Sequence, residues 1–180
     1  MELREKKLRQ VNSYSGIIVD VTLDQVEVCG SHRAFREVVH HPGGVTILPL
    51  DDEGFVYCVR QYRYPYGEVL LELPAGKLEK GEDPFACAVR ELSEETGFTA
   101  DRWQSLGCLY TSPGYCSETL HLYLARSLRA GDAHPDEGEF LAVERIALKD
   151  LLAQVMDGSI RDGKTITAVL KAARLLEQES

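Results

Sequence analysis

Short apolar runs separated by turn residues occupy the first half of the chain. The runs are rich in Val, Ile and Tyr, which favour extended backbone. This pattern predicts strands at residues 16–22, 25–29, 36–40, 45–50, 55–62 and 68–73. Between the fourth and fifth runs, Asp-Asp-Glu-Gly at residues 51–54 predicts a hairpin turn.

One segment has the pattern of an amphipathic helix with signals at both ends. Asp83 suits the N-cap, Pro84 the first helical position, and Gly97 the left-handed residue that follows a helix. Spacings of three and four place these side chains near one face: Phe85, Ala88, Val89, Leu92 and Thr96. We therefore predict a helix over residues 83–97, with this face buried on a sheet and an acidic stripe opposite.

The second half of the chain contains both strand-like and helix-like patterns. Strands are predicted at residues 105–110, 119–125 and 141–147, followed by a helix at 148–156. Residues 164–178 keep apolar positions at helical spacing, which predicts a closing helix packed on the core. Together the elements predict an α/β fold, an α/β/α sandwich around a mixed sheet with an N-terminal antiparallel strand region.

Composition narrows the class of protein. The 180 residues, 44% of them hydrophobic, suffice for one core, and no stretch approaches the roughly 20 apolar residues that span a bilayer. The formal charge of −9 argues against a nucleic-acid surface. The five cysteines form no CxxC pair, which argues against disulfides and zinc. The first ten residues lack the apolar core of a signal peptide, so we expect a soluble cytoplasmic protein.

Three carboxylates lie close together on the predicted helix. Glu91 and Glu95 are one turn apart on the same face, and Glu94 lies beside Glu91. A solvated acidic face is the ordinary explanation. The preceding loop favours a metal site instead, because backbone oxygens near Gly76 and the carboxylate of Glu82 can face the same cavity. Hard oxygen ligands of this kind suit Mg²⁺ or Mn²⁺.

Residues 76–98, GKLEKGEDPFACAVRELSEETGF, resemble the Nudix box. Every fixed position of that motif is filled, by Gly76, Glu82, Arg90, Glu91, Leu92, Glu94, Glu95 and Gly97. The resemblance implies a Nudix-type α/β/α fold and metal-dependent hydrolysis of a nucleoside diphosphate derivative.

Segments on both sides of the box resemble the ADP-ribose pyrophosphatases of this superfamily. They are Ser112-Pro113-Gly114 with Glu118 downstream, and residues 36–39, 41–44, 60–63 and 72–76 upstream. The implied reaction converts ADP-ribose to AMP and ribose 5-phosphate. Two alternatives are another nucleoside diphosphate sugar, such as GDP-mannose, and a non-catalytic module that senses ADP-ribose. The intact box glutamates argue against the sensor.

The resemblance assigns metal binding to the Ala75 carbonyl and to Glu82, Glu91 and Glu95. Glu94 is assigned to the catalytic group, where it binds metal directly or through water. Arg90 is expected to orient the carboxylates without touching substrate.

Arg63 is expected to bind a substrate phosphate, since a guanidinium offers paired donors that match phosphate oxygens. The substrate group also includes Glu72, Pro113, Gly114 and Glu118. As an alternative, Arg63 is an exposed strand arginine paired with Glu72.

The catalytic base is expected on the acidic segment at residues 134–140. By resemblance, Glu137 becomes the general base and Glu139 an auxiliary metal ligand. A solvated acidic loop explains either glutamate about as well when it is taken alone, and Gly138 replaces a polar residue that is common in such loops.

Relatives in this subgroup form homodimers in which N-terminal strands help build the partner's site. The resemblance therefore implies a dimerisation region at residues 1–40 and a hydrolase domain at 41–180.

Overall fold

The computed structural model describes residues 3–134 and 140–179, which form two compact units. The first unit comprises residues up to 43 together with residues 110–119, and the second comprises residues 44–109 and those from 120 onward. Within the described ranges, no helix is long and apolar enough to cross a bilayer.

The first unit contains a three-stranded antiparallel sheet. Its strands are β1 (Glu5–Ser15), β2 (Asp20–Val28) and β3 (His32–His40), in that order. The predicted strand at residues 16–22 is wrong at its start, because residues 16–19 form a turn in which the Gly16 amide donates to the Val19 carbonyl. The sequence pattern does not predict β1, since all of its side chains are exposed and no buried face imposes alternation.

The second unit contains two sheets. Its strands are β4 (Gly44–Pro49), β5 (Phe55–Arg63), β6 (Glu68–Glu72), β7 (Ala75–Lys77), β8 (Phe98–Tyr110), β9 (Thr119–Ala130) and β10 (Ala142–Ala147). One sheet has the order β10-β5-β6, and the other has the order β7-β4-β9-β8. The second sheet is mixed, because β4 runs antiparallel to β7 and parallel to β9. At the predicted hairpin, residues 51–54 form a turn in which the Asp51 amide donates to the Phe55 carbonyl. The flanking strands β4 and β5 belong to different sheets, however, and an isolated antiparallel bridge between Leu50 and Val56 joins them.

Strand β4 is buried along its whole length because helices cover both of its faces. The described ranges contain three helices: α1 (Pro84–Thr96) lies between β7 and β8, and α2 (Leu148–Met156) and α3 (Gly163–Glu179) follow β10. Val45 and Ile47 pack with α1, whereas Leu48 packs in the larger core, to which α2 and α3 contribute. The predicted α/β/α layering around a mixed sheet is confirmed.

Helix α1 begins and ends where the sequence predicts. Asp83 accepts hydrogen bonds from the amides of Phe85 and Ala86, and Gly97 ends the helix with a φ of 74°. The predicted buried face is partly wrong, however. Phe85 and Val89 are 44% and 38% exposed, and the face that is buried instead includes Cys87 and two glutamates. The rest of the Phe85 ring makes edge-on contacts with Trp103 and Tyr123.

Candidate active site

Two glutamates of α1 point inward. Glu91 and Glu95 are only 8% and 4% exposed, and they lie one helical turn apart. The explanation as a solvated acidic face therefore does not apply to this pair. Burying a carboxylate costs free energy unless it gains hydrogen bonds or a cation, so the local structure must supply partners.

The side chains of Glu91 and Glu95 pack against the backbone between β6 and β7 and at the start of β7. The Ile47 amide donates to the Pro74 carbonyl at 2.9 Å, which fixes the segment against β4. The Ala75 amide donates to Glu95 Oε2 at 3.0 Å. A Cβ on Gly76 would overlap the carboxylate of Glu91, so glycine is required for this close approach. The backbone at Ala75–Gly76 and the two carboxylates thus form one packed group.

Arg90 connects the remaining carboxylates of the motif. Its Nε donates to Glu82 at 3.0 Å, and its Nη1 donates to Glu91 and Glu94, both at 2.8 Å. The hydrogen bond from Arg90 lowers the pKa of Glu82 to about 2 and correspondingly raises the pKa of Arg90. Glu82 is therefore ionised at neutral pH, and the orientations of all three carboxylates are fixed by a shared guanidinium.

Cys87 is a neighbour of this group that has no signal in the sequence. Its thiol donates to the Lys77 carbonyl at 3.5 Å, and Arg90 Nη2 donates to the same carbonyl at 3.4 Å. Burial raises the pKa of the Cys87 thiol to about 12, with a further contribution from its hydrogen bond to Glu82. The thiol stays protonated and therefore supplies neither a thiolate ligand nor a nucleophile.

The donor set fits a hard divalent cation. In the described ranges, no three His, Cys, Asp or Glu side chains are already gathered in a metal-binding arrangement. However, the close contact of Glu91 with Gly76, together with buried Glu95, places carboxylate oxygens against backbone. Oxygen donors of this kind suit Mg²⁺ and Mn²⁺ rather than softer metals.

A second charged group lies on β5, β6 and α3. Glu72 accepts from Arg63 Nε at 2.8 Å and from Arg63 Nη2 at 2.6 Å, and it also contacts Lys164. Burial raises the pKa of Glu72, but the bonds from Arg63 and the charge of Lys164 outweigh it, so the pKa is lowered. The pairing of Arg63 with Glu72 is thus present, and Arg63 is half-buried rather than exposed. No pattern in the sequence around Lys164 predicts its contact with Glu72, because the two residues are 92 positions apart and meet only through the packing of α3.

Pro113, Gly114 and Glu118 belong to the first unit. Glu118 lies 3.4 Å from His41 Nδ1, and the Ser117 hydroxyl accepts from the His41 amide at 3.1 Å. The segment at residues 110–119 is therefore attached to the end of β3.

Glu137 and Glu139 lie outside the described residues. The residues just before them are attached to α1, because the His134 amide donates to the Glu94 carbonyl at 2.9 Å. A Cβ on Gly97 would also lie only 2.7 Å from the Gly131 carbonyl oxygen. Gly131 and His134 are therefore held beside the C-terminal turn of the helix that carries the box.

Comparisons with known proteins agree with this geometry. Residues 40–169 match the NUDIX domain. The chain is 40% identical over 169 residues to an ADP-ribose pyrophosphatase of Bacillus subtilis, and the alignment covers 93% of this chain and 91% of that protein. It is 39% identical over 161 residues to an ADP-ribose pyrophosphatase of Mycobacterium tuberculosis, and that alignment covers 87% of this chain and 77% of that protein.

The fold is similar to that of a solved ADP compounds hydrolase, with a TM-score of 0.88 and 22% sequence identity. The alignment covers 100% of this chain and 98% of the other. The resemblance inferred from the box is confirmed, and the chain belongs to the Nudix family.

Proposed function

We propose that this protein hydrolyses the diphosphate of ADP-ribose to AMP and ribose 5-phosphate with a divalent metal ion. The observation that carries the proposal is the buried pair Glu91 and Glu95, packed against Ala75–Gly76. The pyrophosphatase names of the relatives from B. subtilis and M. tuberculosis support ADP-ribose as the substrate.

Glu91, Glu95, Glu82 and the Ala75 carbonyl would hold the metal, which is Mg²⁺ or, as the alternative, Mn²⁺. When bound, such an ion neutralises diphosphate oxygens and activates water. Arg90 keeps the carboxylates of Glu82, Glu91 and Glu94 oriented before substrate arrives. Glu94 is half-exposed, so its carboxylate is also accessible to a water molecule at the edge of the group.

Glu137 is the proposed general base, and Glu139 is a proposed auxiliary metal ligand. The attachment of His134 to the Glu94 carbonyl supports this assignment, because it starts the acidic segment at the box helix. Substrate contacts are assigned to Arg63 and Glu72 from the second unit. Pro113, Gly114 and Glu118 complete the proposed substrate group on the strength of the resemblance.

The protein is also proposed to be a cytoplasmic homodimer that binds neither nucleic acid nor membrane. The buried thiols of Cys58 and Cys87 suit a reducing compartment. Large apolar side chains are exposed on the three-stranded sheet and support association there: Val11, Tyr14 and Phe35.

The dimer predicts the mass of the protein in solution. Analytical ultracentrifugation should give about twice the 20.1 kDa mass of one chain. A single-chain mass at micromolar concentration would contradict the dimer.

The substrate assignment predicts a ranking of specificity constants. With Mg²⁺, kcat/KM should be higher for ADP-ribose than for GDP-mannose, nucleoside triphosphates or NADH, because specificity depends on differential stabilisation of transition states. Products are separated by chromatography, and the control is the same assay in excess EDTA, which should abolish hydrolysis. A competitor preferred by about tenfold would contradict ADP-ribose but not the family. Full activity in EDTA would contradict the role of the metal.

Gly76→Ala should separate catalysis from stability. The added Cβ overlaps only the end of the flexible Glu91 side chain, which can move, so the melting temperature should change little. Moving this carboxylate should lower kcat roughly 10²-fold. Gly163→Ala is the matched control, since an added Cβ there meets nothing within 4 Å. An unchanged kcat for Gly76→Ala would mean that the position of the Glu91 carboxylate does not matter.

The two acidic-segment glutamates should behave differently on substitution. Glu137→Gln should lower kcat by about 10² to 10⁴ and leave metal and substrate affinity unchanged, as expected for loss of a general base. Glu139→Gln should also raise the metal concentration needed for half activity. Both are measured by steady-state kinetics in metal titrations. If Glu137→Gln keeps more than about a tenth of the wild-type kcat, the base lies elsewhere.

A further inference from the structure

The buried carboxylate of Glu72 is the centre of a charged group that the proposed mechanism uses only in part. Glu72 is 1% exposed and lies at the end of β6, three residues before Ala75. An ionised carboxylate at such a position is costly unless cations and hydrogen bonds compensate its charge. Arg63 supplies one cation through two hydrogen bonds to the two carboxylate oxygens.

Lys164 supplies the second cation from the first turn of α3. Its ammonium group contacts Glu72 Oε2 and lies 2.9 Å from Asp162 Oδ2. The same turn is tied to the end of β6, because the Thr165 hydroxyl accepts from the Leu73 amide at 2.9 Å and donates to Asp162 at 2.6 Å. The position of Lys164 is therefore set by hydrogen bonds on both sides of it.

The charges of this group balance only when Lys164 is present. Glu72 and Asp162 contribute two negative charges, and Arg63 and Lys164 contribute two positive ones. Without Lys164, one guanidinium would face both carboxylates. A group with net negative charge would repel an anionic diphosphate, especially where burial weakens screening by solvent.

Arg63 keeps donor capacity for a ligand. Its Nε and Nη2 are used by Glu72, and no residue of the described ranges accepts a hydrogen bond from Nη1. About a third of its side chain is exposed. The charge of Glu95 also acts on Arg63 and favours its charged form, which connects this group electrostatically with the box.

We propose that Lys164 is a positioning residue that neutralises buried Glu72 and so leaves the guanidinium of Arg63 available to a diphosphate. The proposal deepens the proposed function and rests on it for the contact between Arg63 and the substrate. Lys164 itself does not touch the substrate. Its effect is on the affinity for the diphosphate, so it should change KM much more than kcat.

The first test measures binding without turnover. Inorganic pyrophosphate is titrated calorimetrically into protein in excess Mg²⁺, for wild type, Lys164→Met and Lys164→Arg. Lys164→Met should weaken binding about tenfold, and Lys164→Arg should retain most of the affinity because it keeps the charge. Lys171→Met, an exposed substitution on the same helix, is the control and should bind like wild type. Wild-type affinity in Lys164→Met, or no pyrophosphate binding by wild type, would overturn the proposal.

A double variant distinguishes charge neutralisation from general damage to the fold. Glu72→Gln removes the charge that Lys164 neutralises, so Glu72→Gln/Lys164→Met should bind pyrophosphate more tightly than Lys164→Met alone. Urea unfolding of each variant reports stability separately. If the double variant binds more weakly still, Lys164 has only a structural role and the proposal is wrong.

Steady-state kinetics with ADP-ribose complete the test. Lys164→Met should raise KM about tenfold and leave kcat nearly unchanged. A fall in kcat at constant KM would contradict the proposal. If wild type does not hydrolyse ADP-ribose, the proposed function fails, whereas the pyrophosphate titration still decides the role of Lys164.

Discussion

The burial of Glu91 and Glu95 on the inner side of α1 is the constraint on which the rest of the site depends. A helix that turns two carboxylates toward a sheet must gain partners for them, and here those partners include the Ala75 amide and Arg90. The approach is possible only because Gly76 has no side chain. Asp83 and Gly97 fix where this helix begins and ends.

The segment at residues 72–76 is held from both faces of the sheet, which explains how a short connection can be a precise part of the site. Thr165 of α3 binds the Leu73 amide, and Ile47 of β4 binds the Pro74 carbonyl. Glu95 of α1 binds the next amide, that of Ala75. Strand β4 is buried between α1 and the larger core, so its position is fixed by packing on both faces. The contacts with Thr165, Ile47 and Glu95 therefore hold the backbone beside the carboxylates in a fixed position.

Local patterns predicted the box helix, its caps and most strands of the second unit, because a buried face imposes a period on the sequence. They failed for β1, which is exposed along its length, and for the inward face of α1, where Glu91 and Glu95 replace the expected Phe85 and Val89. No local pattern could find Lys164, since 92 residues separate it from Glu72. Residue types indicate the chemistry here, but long-range packing decides which charges meet.

The two charged groups differ in net charge, and this difference suits them to different parts of a diphosphate reaction. In the box, the single guanidinium of Arg90 is shared by the carboxylates of Glu82, Glu91 and Glu94, so it offsets only part of their negative charge. Such a group favours a cation. The group around Glu72 is balanced, so an incoming anion meets no net repulsion there. An acidic chain can therefore bind an acidic substrate, because its negative charge is concentrated where a metal ion offsets it and cancelled where a phosphate must bind.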